Sequence, residues 1–122
     1  MSLKVLTIDD DPSMTELLGL LLRSYKMEVV VANDSNIGLG LARTEKPDLI
    51  TLDLMMPGLD GWQICKEIRS FSQVPIIIIS ALDNPAAVAS ALDSGASDYM
   101  VKPVPGKKLV QRINELAGGS AE

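Results

Sequence analysis

The chain has 122 residues, 47% of them hydrophobic and 22% charged, the composition of a single soluble domain able to bury roughly two-thirds of its unfolded surface. It contains no histidine and one cysteine, Cys65, which excludes a Ser-His-Asp triad, a His-ligated zinc, a Cys-rich metal knuckle and an internal disulfide. Its 11 basic against 16 acidic residues give a formal net charge of −5, opposite to a nucleic-acid-binding footprint, and no apolar run reaches the roughly 20 residues of a membrane span.

Apolar runs alternate with helical patterns from end to end, as in βα units built around a parallel sheet. Lys4 to Ile8 is a short apolar run that stops at Asp9, and reads as a buried strand. After Pro12 the leucines 17, 18, 21 and 22 predict a helix to about Lys26, with Asp11 or Ser13 at its start. Val29 to Val31 is a second strand. Asp34 or Ser35 caps a second helix reaching Thr44, which Gly38 and Gly40 weaken. Leu49 to Leu52 is a third strand, again ending in a carboxylate, Asp53. The turns at Pro57-Gly58 and Asp60-Gly61 lead into a helix from about Trp62 to Arg69, with Ile64 and Ile68 on one face. Ile76 to Ile79 is wholly β-branched, as expected for a strand covered on both faces. Asn84-Pro85 opens a fourth helix that Gly95 ends, Asp98 to Val101 is the fifth strand, and Pro105 to Leu116 the last helix, with Lys107, Lys108 and Arg112 toward solvent. Residues 118–122 read as a tail or linker. With one thiol and no secretory pattern after Met1, the cytoplasm is the default location.

In an open parallel sheet, ligands bind beyond the carboxyl ends of the strands. Here strand one is followed by Asp9-Asp10-Asp11 and strand three by Asp53; strand four ends at Ser80 and strand five is followed by Lys102-Pro103. Clustered carboxylates raise one another's pKa unless a counter-charge intervenes, and oxygen-only ligation suits Mg²⁺, with Mn²⁺ able to substitute. Asp9, Asp10 and Asp53 with one divalent cation and Lys102 make a neutral site, ready for an anion. A carboxylate can act as nucleophile toward phosphorus and become an acyl phosphate, and Asp53 is placed for that role. Taken singly, each of these residues is as readily a cap, a turn former or a solvated side chain. Asp11 and Asp60 read as caps or turn residues.

Ile8-Asp9-Asp10-Asp11-Pro12, the segment from Asp48 through Asp53 to Gly61, Ser80-Ala81, and Asp98-Tyr99-Met100-Val101-Lys102-Pro103 resemble the receiver domain of bacterial two-component response regulators, over residues 3–117. The resemblance implies a flavodoxin-like (βα)5 fold with strand order 2-1-3-4-5. It implies Asp53 as phosphoacceptor and Mg²⁺ held by Asp10, Asp53 and the Met55 carbonyl, with Asp9 assisting. Ser80 and Lys102 would contact the phosphoryl group, Tyr99 would be a switch following Ser80, and Lys102-Pro103 would be a cis bond. The implied donor is a sensor histidine kinase or phosphotransfer protein, since this chain has no histidine to offer. A homodimer would use the fourth helix, fifth strand and fifth helix, where Asp98 and Arg112 could pair between copies. Ser at position 80 in place of the more frequent Thr keeps the hydroxyl, and Val104 stands where Phe often follows Lys-Pro.

Three other readings fit parts of the pattern. Asp9 and Asp11 satisfy the Asp-x-Asp of a haloacid-dehalogenase-type phosphatase, with Asp9 as nucleophile, but leave the Asp53-to-Gly61 segment unexplained. A flavodoxin shares the fold, yet the loop after strand one is acidic where a flavin phosphate needs donors. A pseudo-receiver interaction module would not need the complete residue set present here.

Overall fold

A computed structural model describes residues 2–118. Five parallel strands, β1 (Lys4–Ile8), β2 (Glu28–Ala32), β3 (Leu49–Leu52), β4 (Ile76–Ser80) and β5 (Asp98–Val101), form one sheet in the order β2-β1-β3-β4-β5 that the resemblance implies. The helices are α1 (Pro12–Ser24), α2 (Ser35–Thr44), α3 (Gly61–Arg69), α4 (Pro85–Asp93) and α5 (Gly106–Ile113).

Alternation along each strand divides the core in two. Leu6, Ile8, Ile50, Leu52, Ile76 and Ile78 pack with Ile64, Cys65 and Ile68 of α3, Ala42 of α2 and Ala91 of α4. Val5, Leu49, Ile77 and Ile79 face the other way, onto Leu18 and Leu22 of α1 and Leu109, Val110 and Ile113 of α5. Coverage on both faces explains why β3 and β4 are buried at every position, whereas β2, at the sheet edge, is half-exposed.

Local sequence sets the helix starts. Asp11, Asp34, Asp60 and Asn84 each cap a helix by accepting a backbone N–H, from Ser13, Ile37, Gln63 and Ala87 respectively. At α3 the Gln63 side chain also accepts the Asp60 N–H, completing a capping box. Helix ends were less legible. The first helix stops at Ser24 because Lys26 turns into the left-handed region, at φ 68°, with no glycine to announce it. The last is regular only to Ile113 and continues as a π-helical turn over Asn114–Gly118. Residues 119–122 of the expected tail lie outside the described residues.

Two glycines are fixed by close approach. A Cβ on Gly38 would lie 2.8 Å from Ile8 Cγ2, so the glycine that weakens α2 as a helix lets it settle onto β1. A Cβ on Gly61 would lie 2.6 Å from Leu54 Cα and 2.7 Å from the Asp53 carbonyl oxygen. Because backbone is what it would strike, Gly61→Ala is expected to cost about 1–3 kcal/mol through overpacking. Gly40→Ala, with nothing within 4 Å, is expected to be neutral or stabilising through helix propensity. Thermal melts of the two variants check this pair; equal melting temperatures would refute the steric account.

Candidate functional site

The carboxyl edge of the sheet gathers the residues singled out from the sequence. The ladder runs one residue past two strands: Asp9 N–H donates to the Ala32 carbonyl at 3.1 Å, and Asp53 N–H to the Ile8 carbonyl at 3.0 Å. Both aspartates are therefore held by adjoining strands, and both are buried, at 4% and 6% exposure. Asp10 is exposed. One carboxylate oxygen from each of Asp9, Asp10 and Asp53 lies within 4.8 Å of the others.

Lys102 arrives from the far side. Its backbone N–H donates to the Ser80 carbonyl at 2.8 Å, and the bond to Pro103 is cis, as expected. The ammonium lies 3.0 Å from Asp9 Oδ2 and 3.5 Å from Asp53 Oδ2. Each carboxylate spends its other oxygen on its own loop: Asp9 Oδ1 accepts the Asp11 N–H at 3.0 Å, and Asp53 Oδ1 the Met55 N–H at 3.2 Å.

The electrostatics follow from this crowding. Burial pushes the Asp53 carboxyl above its ordinary value, the Met55 N–H pulls it down, the Asp9 charge adds to the rise and Lys102 opposes it, leaving it raised. Burial works against the Lys102 charge, but the hydrogen bond to Asp9 and the charges of both carboxylates outweigh it, so its pKa is raised. A raised folded pKa means stability that is complete below the unfolded value and lost as pH rises through the folded one. For Lys102 that loss falls in the alkaline range. For Asp53 it lies above the ordinary carboxylate value, so at neutral pH its ionisation opposes folding of the metal-free protein.

The hydroxyl and the aromatic ring are connected through one loop residue. Ser80, fully buried, accepts the Leu82 N–H on Oγ at 3.2 Å, and the Tyr99 hydroxyl donates to the Leu82 carbonyl at 2.7 Å. The Met55 side chain is 56% exposed, at the rim. Asp11 serves as the α1 cap through its own carboxylate, the cap role read from the sequence, and it is not among the three clustered carboxylates.

Two features add to the sequence reading. Asp98 and Arg112, which the resemblance suggests could pair between copies, pair within the chain at 2.6 Å, and Arg112 also reaches Glu115 at 3.2 Å. Together they tie β5 to α5 and hold the Arg112 guanidinium above its usual value. Asn33, not singled out, donates from Nδ2 to the Asp9 carbonyl at 2.8 Å. The strand-end rule that selected Asp9, Asp53, Ser80 and Lys102 would have named it had it been applied to the second strand.

Comparison with known proteins agrees with this arrangement. Residues 5–114 match the family described as the response regulator receiver domain. The chain belongs to that family. It is 40% identical over 110 residues to the DNA-binding response regulator MtrA of Mycolicibacterium smegmatis, covering 90% of this chain and 48% of the relative. It is 43% identical over 112 residues to the transcriptional regulatory protein AfsQ1 of Streptomyces coelicolor, covering 92% of this chain and 50% of the relative. The receiver domain thus spans about half the length of these curated relatives. Among solved structures, the Francisella response regulator 1452 receiver domain superposes with a TM-score of 0.91 at 35% identity, covering 96% of this chain and 98% of that one. The BeF3-activated receiver domain of Klebsiella pneumoniae RstA gives 0.90 at 34% identity, with 93% and 97% covered. The fold is the flavodoxin-like receiver fold, and the family is one of signalling proteins rather than metabolic enzymes. Among the described residues, no helix is long and apolar enough to cross a membrane.

Proposed function

We propose that residues 3–117 act as a phosphoacceptor switch in the cytoplasm, taking a phosphoryl group from a phosphohistidine on a sensor histidine kinase or phosphotransfer protein onto Asp53. The observation that carries this reading is the placement of the buried Asp53 carboxylate beside Asp9 and Lys102, with Ser80 at the end of the adjoining strand. An Asp53 oxygen forms the new bond to phosphorus, the bond to the donor imidazole nitrogen breaks, and the imidazole retains the electron pair.

An all-oxygen cluster of three carboxylates, only partly neutralised by Lys102, fits a hard divalent cation. Asp10, Asp53 and the Met55 carbonyl would hold Mg²⁺, or Mn²⁺ in its place, with Asp9 assisting. Bound there, the cation supplies positive charge to the phosphoryl oxygens. Lys102 would lend a second positive charge and Ser80 a hydroxyl. The added group moves the site by about one negative charge, which draws Ser80 and Lys102 toward it. Ser80 passes the change to Leu82 and Tyr99, and so to an output domain or partner. The surface of α4, β5 and α5 is the proposed homodimer face, and with a net charge of −5 no direct nucleic-acid contact is assigned to this domain.

The test is intact mass after incubation with acetyl phosphate. One phosphoryl group is expected with Mg²⁺ and none after chelation. Steady turnover of an aryl phosphate without a stable adduct would point instead to a phosphatase.

A further inference from the structure

The loop that presents Asp9 and Asp10 is stitched to the end of β2 by a side chain. Asp9 has its N–H on the Ala32 carbonyl, while its own carbonyl accepts Asn33 Nδ2 at 2.8 Å. The same Nδ2 donates its second hydrogen to Thr15 Oγ1 at 2.9 Å, and that hydroxyl donates to the Pro12 carbonyl at 3.1 Å. The amide orientation follows from chemistry: a carbonyl only accepts, and the Thr15 hydrogen is already committed to Pro12. Asn33 is exposed, whereas Thr15 is 2% exposed and anchored in α1. One carboxamide therefore links the ends of β1 and β2 to the first turn of α1.

This contact bears on Asp10. The Asp9 carbonyl and the Asp10 nitrogen belong to one planar peptide unit, so fixing the carbonyl fixes the direction in which Asp10 leaves the strand. Asp10 is the exposed member of the carboxylate cluster, so little packing holds its side chain, and its orientation rests on its backbone.

We propose that Asn33, braced by Thr15, is a positioning residue for the divalent-cation site, aiming Asp10 at the shared position with Asp9 and Asp53. The inference rests on the reading of that cluster as a metal site and adds residues outside it. Asn33 touches neither metal nor phosphoryl group. Its loss is expected to weaken cation binding while leaving Asp53, Lys102 and Ser80 in place. Removing a partner that orients a metal ligand typically costs about 10–100-fold in affinity, and one such bond on an exposed ligand belongs at the lower end, about tenfold.

The experiment is calorimetric titration of Mg²⁺ into wild type, Asn33→Ala, Thr15→Val and Thr15→Ser, with amide hydrogen exchange over residues 10–13 in the metal-free proteins. The expected results are saturable wild-type binding, about tenfold weaker binding in Asn33→Ala, a smaller loss in Thr15→Val, and recovery in Thr15→Ser, which keeps the hydroxyl. Exchange at Asp11, whose N–H is held by Asp9 Oδ1, is expected to accelerate in Asn33→Ala before any metal is added, and phosphorylation at saturating Mg²⁺ to match wild type. Wild-type affinity in Asn33→Ala overturns the proposal even if that variant melts lower, since the residue would then serve stability alone. Failure of the wild type to bind Mg²⁺ would overturn the metal reading itself.

Discussion

Millimolar Mg²⁺ is expected to raise the melting temperature of the wild-type protein and to leave that of Asp10→Ala nearly unchanged. At a concentration 100 times the dissociation constant, preferential binding to the folded state adds about 2.7 kcal/mol, or roughly 10 °C for a chain of this size. Asp10 is exposed and outside the core, so its loss leaves the fold intact. Without metal, Asp10→Ala is expected to melt at or above wild type, because removing one of three carboxylates that share a 4.8 Å cluster relieves like-charge repulsion. The raised pKa of Asp53 has the same origin in part: burial first, then the Asp9 charge, both favouring the uncharged form. An equal Mg²⁺ gain in the two proteins would remove Asp10 from the site.

Ser80→Ala is expected to accept phosphate and fail to transmit it. Leu82 bonds to Ser80 Oγ through its N–H and to the Tyr99 hydroxyl through its carbonyl, at 3.2 and 2.7 Å. A phosphoryl group on Asp53 that draws the Ser80 hydroxyl competes for the atom now holding Leu82, and a shift of that residue alters the acceptor of the Tyr99 hydroxyl. On the proposed reading, phosphorylation would bias an equilibrium between two arrangements, with Ser80 as the coupling element. In wild type, chemical-shift changes on phosphorylation should reach Tyr99 and α5; in Ser80→Ala they should stop at the active site. Tyr99→Phe, which lacks only the hydroxyl, should keep the changes at Leu82 and lose those beyond it. Identical spreading in wild type and Ser80→Ala would refute the coupling.

Much of this arrangement is legible in the sequence because several local signals agree. Strands buried on both faces are written as continuous apolar runs, and Asp9, Asp53 and Ser80 stand at the ends of three of them, while Lys102 follows the edge strand β5. Caps such as Asp34 and Asn84 are equally direct, since the preference is local chemistry. The features that are not legible depend on tertiary contact. Nothing near Lys26 announces a left-handed residue, and Gly38 looks unfavourable until α2 is seen resting against Ile8. The sequence suggests that Arg112 and Asp98 could pair, but not that α5 and β5 bring them to 2.6 Å within one chain. Asn33 stands at a strand end like the others, but its partner, a main-chain carbonyl 24 residues away, becomes legible only when the β1 and β2 ends are known to be adjacent.

The central claim is that Asp53 is the acceptor, and identifying the modified residue tests it most directly. Wild type phosphorylated with acetyl phosphate and Mg²⁺ can be reduced with borohydride, which converts an aspartyl phosphate to homoserine, and then digested for sequencing by mass spectrometry. The account predicts homoserine at position 53 alone, and none anywhere in Asp53→Asn treated in the same way. Homoserine at position 9, in the wild type or the variant, would contradict it and make Asp9 the nucleophile.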